Sequence, residues 1–136
     1  MCGRSVRSIL KHEVLHSKKI AELIADLEKK HINFLSWVDL SRLSYVGIGG
    51  TAEIIVEISN IHEAAAFLGI LRKIGLRSKI IGSCSNIIFG DGLLTTPLLR
   101  LCGEFSKVKV DGNVLRAGGA VTSRYASLMA KEKSLS

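Results

Sequence analysis

In the first third of the chain, apolar residues fall three and four apart. From Ser17 to about His31, Ile20, Leu23, Ile24 and Leu27 share one face while Lys, Glu and Asp fill the rest, which predicts an amphipathic helix. Residues 1–15 are polar and basic with little periodicity and read as a lead-in. Asn33 to Ser44 shows no regular period and reads as irregular. Glu53 to Ile58 (EIIVEI) is short and rich in β-branched residues, the signature of a strand. Asn60 with Glu63 three positions later makes a capping box for a second helix. That helix carries Ala64, Phe67, Leu68, Leu71 and Ile74 on one face and stops at Gly75.

The second half changes to period two. Ser78 to Ile81 predicts a strand running into the loop Gly82-Ser83-Cys84-Ser85-Asn86. Ile87 to Phe89 and Leu98 to Leu101 predict short buried strands, with Asp91-Gly92 and the lone Pro97 between them. Val108 to Val110 and Val114 to Arg116 flank Asp111-Gly112-Asn113, a hairpin signal of the Asp-Gly type. Gly118-Gly119-Ala120 follows, and a third helix begins at Ser123. Helix, strand, helix and then several strands indicate an α+β arrangement.

Length and composition set the limits. With 136 residues, 47% hydrophobic and 23% charged, the chain suits one folded domain that buries roughly two-thirds of its unfolded surface. Aromatics are only 5%, so the core must be aliphatic. A net charge of +7 raises nucleic acid as a partner. The cations are scattered among acids, however, and no basic strand studded with aromatics appears, so no nucleic-acid partner is expected. An anionic cofactor or substrate, such as a dinucleotide or a UDP-sugar, accounts for the charge equally well. Cys2, Cys84 and Cys102 match no disulfide framework and no CxxC zinc pair. They fit a reducing, cytoplasmic setting. No secretory signal is visible and the apolar runs are far shorter than a membrane span, so no membrane partner is expected.

Three motifs bear on chemistry. His12-Glu13-Val14-Leu15-His16 is a literal HExxH, which on a helix presents two imidazoles to zinc and a Glu as general base. The extended pattern fails because position 19 is Lys, and no earlier strand frames a cleft, so no metal is expected. Gly47-Ile48-Gly49-Gly50-Thr51-Ala52 satisfies G-x-G-x-x-G/A, yet a strand rather than a helix follows it, which removes the helix N-terminus that a dinucleotide needs. The simpler reading is a tight turn at positive φ entering the strand. Gly82-Ser83-Cys84-Ser85-Asn86 follows a strand with small residues and hydroxyls, a composition suited to phosphate and equally to a plain connection.

Four segments in order resemble the UDP-N-acetylenolpyruvoylglucosamine reductase family. Leu40 to Ala52 (LSRLSYVGIGGTA) is similar to its opening signature, and Ile80 to Gly92 (IIGSCSNIIFGDG) to its G-x-G-S-N loop, hydrophobic run and trailing Asp-Gly. Leu98-Leu99-Arg100-Leu101 matches its strand ending in Arg-Leu, and Leu115 to Ala120 (LRAGGA) its Ala-Gly-rich turn. The resemblance implies an FAD-binding domain of the vanillyl-alcohol oxidase type. Residues 1–39 would be a lead-in and helix, 40–104 the first FAD-binding subdomain, and 105–136 the start of a truncated second one. The substrate domain would be absent.

By that resemblance, Tyr45, Gly82, Ser83, Cys84, Ser85, Asn86, Ile87, Gly118, Gly119 and Ala120 would bind the cofactor, with residues 82–86 cradling its pyrophosphate. The family reduces a UDP-sugar enolpyruvyl group in peptidoglycan synthesis, passing a hydride from NADPH through FAD. Its catalytic arginine, serine and glutamate match no position here, so the expectation is an inactive fragment whose missing half comes from a separate chain. The alternative is a non-catalytic FAD-binding or structural remnant. Two residues depart from the pattern. Gly47 replaces a bulkier residue, and Cys84 stands where the family has the loop's second glycine, at a cost of about 1 kcal/mol or more if that position has positive φ.

Overall fold

The computed structural model describes residues 6–133, with side chains described from residue 18 onward. It contains α1 (Val6–Lys29), β1 (Phe34–Asp39), a 3₁₀ turn (Leu40–Arg42), β2 (Thr51–Ile58), α2 (Ile61–Ile74) and β3 (Lys79–Ile81). Then come β4 (Leu93–Leu94), β5 (Leu98–Leu101), a second 3₁₀ turn (Gly103–Ser106), β6 (Val108–Asp111), β7 (Val114–Ala117) and α3 (Ser123–Glu132). The chain is α+β, as its alternation of patterns predicts.

Five strands form one mixed sheet in the order β1-β2-β5-β3, with the short β4 also paired to β2. β1 runs antiparallel to β2, whereas β4 and β5 both run parallel to it along one edge. Between the pairs Thr51↔Leu93 and Ile55↔Leu98, the second strand carries one more residue than β2. Pro97 sits at that break, where its missing N–H costs no ladder bond, and its carbonyl accepts the Lys79 amide at 3.0 Å.

The main core lies between the sheet and two helices. Ile20, Leu23 and Leu27 from α1 and Phe67, Ile70, Leu71 and Ile74 from α2 pack with Ile54, Val56 and Ile58 from β2. Lys73 of α2 ties the helices through Asp26, at 2.8 Å, and Glu22, at 3.5 Å. Its hydrogen bond holds the Asp26 carboxyl below the usual carboxylate value. A second cluster gathers Leu40, Ala52, Ile55, Ile81, Cys84, Phe89 and Leu98. No described aromatic other than Phe67 and Phe89 is buried, so the core is aliphatic in the main.

The α2 boundaries follow the predicted caps. Asn60 accepts from the Glu63 amide at 2.9 Å, and Glu63 reaches back to the amide and hydroxyl of Ser59 at 2.8 and 2.7 Å. Gly75 ends the helix in the left-handed region at φ 70°. On its core face Ile70 replaces Leu68, which is half-exposed, because the real helix turns its stripe toward α1.

Three expectations need correction. The first helix begins at Val6 and not Ser17, since a thinner stripe of Val6, Ile9, Leu10 and Val14 continues its period among the basic residues. Asn33 to Ser44 is not irregular: Phe34–Asp39 forms a strand at the edge of the sheet. Only Phe34 and Val38 there are half-buried, so no alternation announces it, and the register with β2 fixes it. Ile87 to Phe89 forms no strand; Phe89 is buried as a plug and Ile88 is exposed. Short β4 occupies the β2 edge beyond it.

The glycine pair before β2 serves a close crossing. Gly50 donates to the Gly90 carbonyl at 3.0 Å and Thr51 to the Gly92 carbonyl at 2.8 Å. A Cβ at Gly50 would lie 1.9 Å from the Gly92 carbonyl oxygen, so only glycine fits. The tight-turn reading of this segment holds, with Gly47 and Gly49 at φ 75° and 150°.

Candidate functional site

After β5 the chain stays tied to β2: the Cys102 amide donates to Ile58 at 2.9 Å and the Glu104 amide to Ser59 at 2.8 Å. The β6–β7 hairpin then folds out as a separate two-stranded ribbon. Gly112 takes the first of its two loop positions at φ 55°, the place a tight hairpin gives to glycine. Its return is anchored by Gly118 and Ala120, whose amides donate to Lys107 and Phe105 at 3.0 Å. A Cβ on Gly118 would meet the Phe105 carbonyl oxygen at 2.1 Å, so this close approach also requires glycine. Thr122 then caps α3, accepting from the Tyr125 amide at 3.3 Å.

This path brings the turn before α3 to face the loop after β3. Between them lies an open cleft of about 600 Å³. One wall is Gly82, Ser83 and Ser85 with Ile80 and Ile81; the opposite wall is Gly119, Ala120, Val121, Thr122, Ser123 and Arg124. Arg100 and Leu101 of β5 form the floor. The backbone N–H groups of Ser83, Cys84, Ser85 and Asn86 have no acceptor among the described residues. The Ser83 and Ser85 hydroxyls lie 3.3 Å apart and are otherwise unengaged. Two serines and two arginines with no carboxylate among them line one concavity, a set of donors suited chemically to an anion.

Cys84 does not enter the cleft. It stands at φ 56°, in the left-handed region where glycine is favoured, so the strain attached to that condition applies. Its side chain turns inward, 5% exposed, and packs with Leu40, Ile55 and Phe89. Burial pushes its thiol pKa up, against a smaller opposing pull from Arg100. The space over the loop is therefore as open as a glycine would leave it.

The remaining sequence candidates scatter. Asn86 is exposed and does not line the cleft. Ile87 lines a neighbouring cavity of about 320 Å³ with Leu40, Ile88 and Leu93. Gly118 faces away from the cleft, toward Glu104, Lys107 and Arg116. Tyr45 is 86% exposed and lines neither cavity. Sequence reasoning missed Arg100 and Arg124. Arg100 lay inside a family-like motif, but its direction depends on the β2–β5 register, where it opposes Glu57 and donates to that carboxylate.

The HExxH side chains lie outside the described residues. Among the described residues, no group of three or more His, Cys, Asp or Glu comes together. No described helix is long and apolar enough to cross a membrane.

No family model matches the chain. Curated proteins do. It is 39% identical over 80 residues to UDP-N-acetylenolpyruvoylglucosamine reductase 2 of Symbiobacterium thermophilum, covering 59% of this chain and 26% of that protein. It is 28% identical over 111 residues to the reductase of Anaplasma marginale, covering 82% and 36%. Identity to that of Methylorubrum populi is 35% over 97 residues, covering 71% and 31%. In fold, the chain resembles the crystal structure of the Thermus caldophilus UDP-N-acetylenolpyruvylglucosamine reductase, with a TM-score of 0.55 at 19% identity, covering 75% of this chain and 34% of that one. The chain spans about a third of the length of the curated relatives it matches. Over that shared segment the chain is similar in sequence to several UDP-N-acetylenolpyruvoylglucosamine reductases, and in fold to one of them.

Proposed function

We propose that the cleft between residues 82–86 and 119–124 binds FAD by its diphosphate, as part of a flavin-dependent reductase of peptidoglycan synthesis. The observation that carries this reading is a cleft lined by Ser83, Ser85 and two arginines with no lining carboxylate, beside a loop whose amides from Ser83 to Asn86 have no acceptor among the described residues. Such amides stabilise phosphate oxygens at no cost in lost internal hydrogen bonds. The residues fit the group, since Cys84 adopts a glycine-like backbone and keeps its side chain out of the space. On this reading residues 40–104 form the first FAD-binding subdomain, with α1 and β1 built onto it, and residues 105–136 begin the second.

When bound, the flavin would carry a hydride from NADPH to the enolpyruvyl group of a UDP-sugar. The chain's own part is to bind and orient. Ser83 and Ser85 hold phosphate, while Gly119 and Ala120 let the backbone come close on the opposite side. No residue here is assigned a catalytic role, and the 136-residue chain alone is expected to lack reductase activity. The proton donor and substrate site are then supplied from outside it, by a second polypeptide or further sequence. The free thiols Cys84 and Cys102 suit a cytoplasmic location.

The test is a visible absorbance spectrum of the purified chain after mixing with FAD and desalting. Retained flavin that is lost in Ser85→Ala supports the reading. A folded chain that retains none removes it, and leaves the kinship as ancestry. Oxidation of NADPH by the chain alone, dependent on the enolpyruvyl substrate, would refute the expected inactivity.

A further inference from the structure

Two cations line the cleft, and they come from different parts of the fold. Arg100 lies on β5 of the five-stranded sheet and Arg124 on the first turn of α3. No Asp or Glu lines the same space. Arg100 is one-third exposed and is fixed from behind by Glu57, its register partner on β2, which accepts from one terminal nitrogen. A guanidinium has five N–H donors in a planar fork, so that single bond orients the group and leaves others for a ligand. Arg124 is exposed and has no carboxylate partner among the described residues.

A monoanion would satisfy one of these groups. A diphosphate carries enough charge and enough oxygens to engage both while touching Ser83 and Ser85. We propose that Arg100 and Arg124 are a two-sided clamp on a diphosphate-bearing ligand, so that one anion bridges the sheet to α3. The clamp rests on the same cleft as the cofactor reading, though on none of the flavin ring's chemistry. Its consequence is mechanical. Neither the hairpin nor α3 contributes a buried residue, so ligand binding adds a tie between them and the sheet.

The experiment is calorimetric titration of the whole chain with inorganic pyrophosphate and, separately, with FAD. Wild type is compared with Arg100→Gln, Arg124→Gln and Arg100→Lys, each checked for native circular dichroism. Each Gln variant is expected to bind pyrophosphate about tenfold more weakly. Arg100→Lys should recover part of the loss, and the wild-type affinity should fall as NaCl rises. Because Arg124 is exposed, its variant keeps the fold even where Arg100→Gln does not, and wild-type affinity in Arg124→Gln overturns the clamp. Pyrophosphate bound through both arginines without FAD binding keeps the clamp and removes the cofactor reading. FAD and pyrophosphate bound equally by all variants do the reverse. A wild type that binds neither removes both.

Discussion

The thiol of Cys84 donates to the carbonyl of Gly82, two residues upstream, at 3.5 Å, across a loop turn whose φ at Cys84 is 56°. A side chain thus occupies a backbone conformation that costs an L-residue roughly 1–2 kcal/mol, and buries itself as compensation. Cys84→Ala keeps the strain and loses the packed sulfur, so it should destabilise the chain by about 1 kcal/mol. Cys84→Gly loses the same packing and relieves the strain, and should be more stable than Cys84→Ala by up to about 1 kcal/mol. Urea midpoints of the two variants check this; an Ala variant as stable as the Gly variant would show the loop unstrained.

Burial also decides the reactivity of the thiols. Desolvation raises the Cys84 thiol, and Cys102 is raised by burial and then by the nearby Glu57 and Glu63 carboxylates. Neither forms appreciable thiolate at neutral pH. Brief iodoacetamide treatment at pH 7 should leave both unmodified in the folded chain and label both in urea, as read by peptide mass spectrometry. Rapid native labelling of Cys84 would contradict its packing.

Glu63 links the α2 cap to acid stability. The Ser59 hydroxyl and then the Ser59 amide hold its carboxyl below the ordinary value of 4.5. A carboxyl lowered by folding contributes stability above its unfolded value, and that contribution is lost as pH falls through the folded value. Wild type should therefore lose stability below about pH 4.5 more steeply than Glu63→Gln, which should be about 1 kcal/mol less stable near pH 7. Parallel urea melts from pH 7 to pH 3 measure both; curves that stay parallel throughout would remove Glu63 from the cap.

Gly50 is a steric requirement. A methyl carbon added there would come within 1.9 Å of the Gly92 carbonyl oxygen, a clash relieved only by moving backbone, not side chain. Gly50→Ala should cost about 3 kcal/mol or more, seen as a fall in the thermal midpoint. Gly69→Ala, with open space at its Cβ and a helical position, should instead hold or raise it.

The sequence by itself determined the elements whose cause is local. The α2 helix from Asn60 to Gly75, β2, the hairpin turn at Gly112 and the start of α3 are written in caps, β-branched runs and turn residues a few positions apart. The segments resembling a reductase family were legible for a similar reason, since each is a short contiguous string. Tertiary structure decided what depends on distant partners. β1 has no alternation of its own and exists through its register with β2. Leu68 and Ile70 exchange places because the position of α1 sets which face of α2 is inside. The cleft was only half visible. The loop at 82–86 announces itself by composition, but its partner wall is brought over by the Gly118–Phe105 contact, and its charge comes from Arg100 and Arg124, 24 positions apart in the chain. Side-chain direction across a sheet is set by pairing between strands, and no local string of residues carries that information.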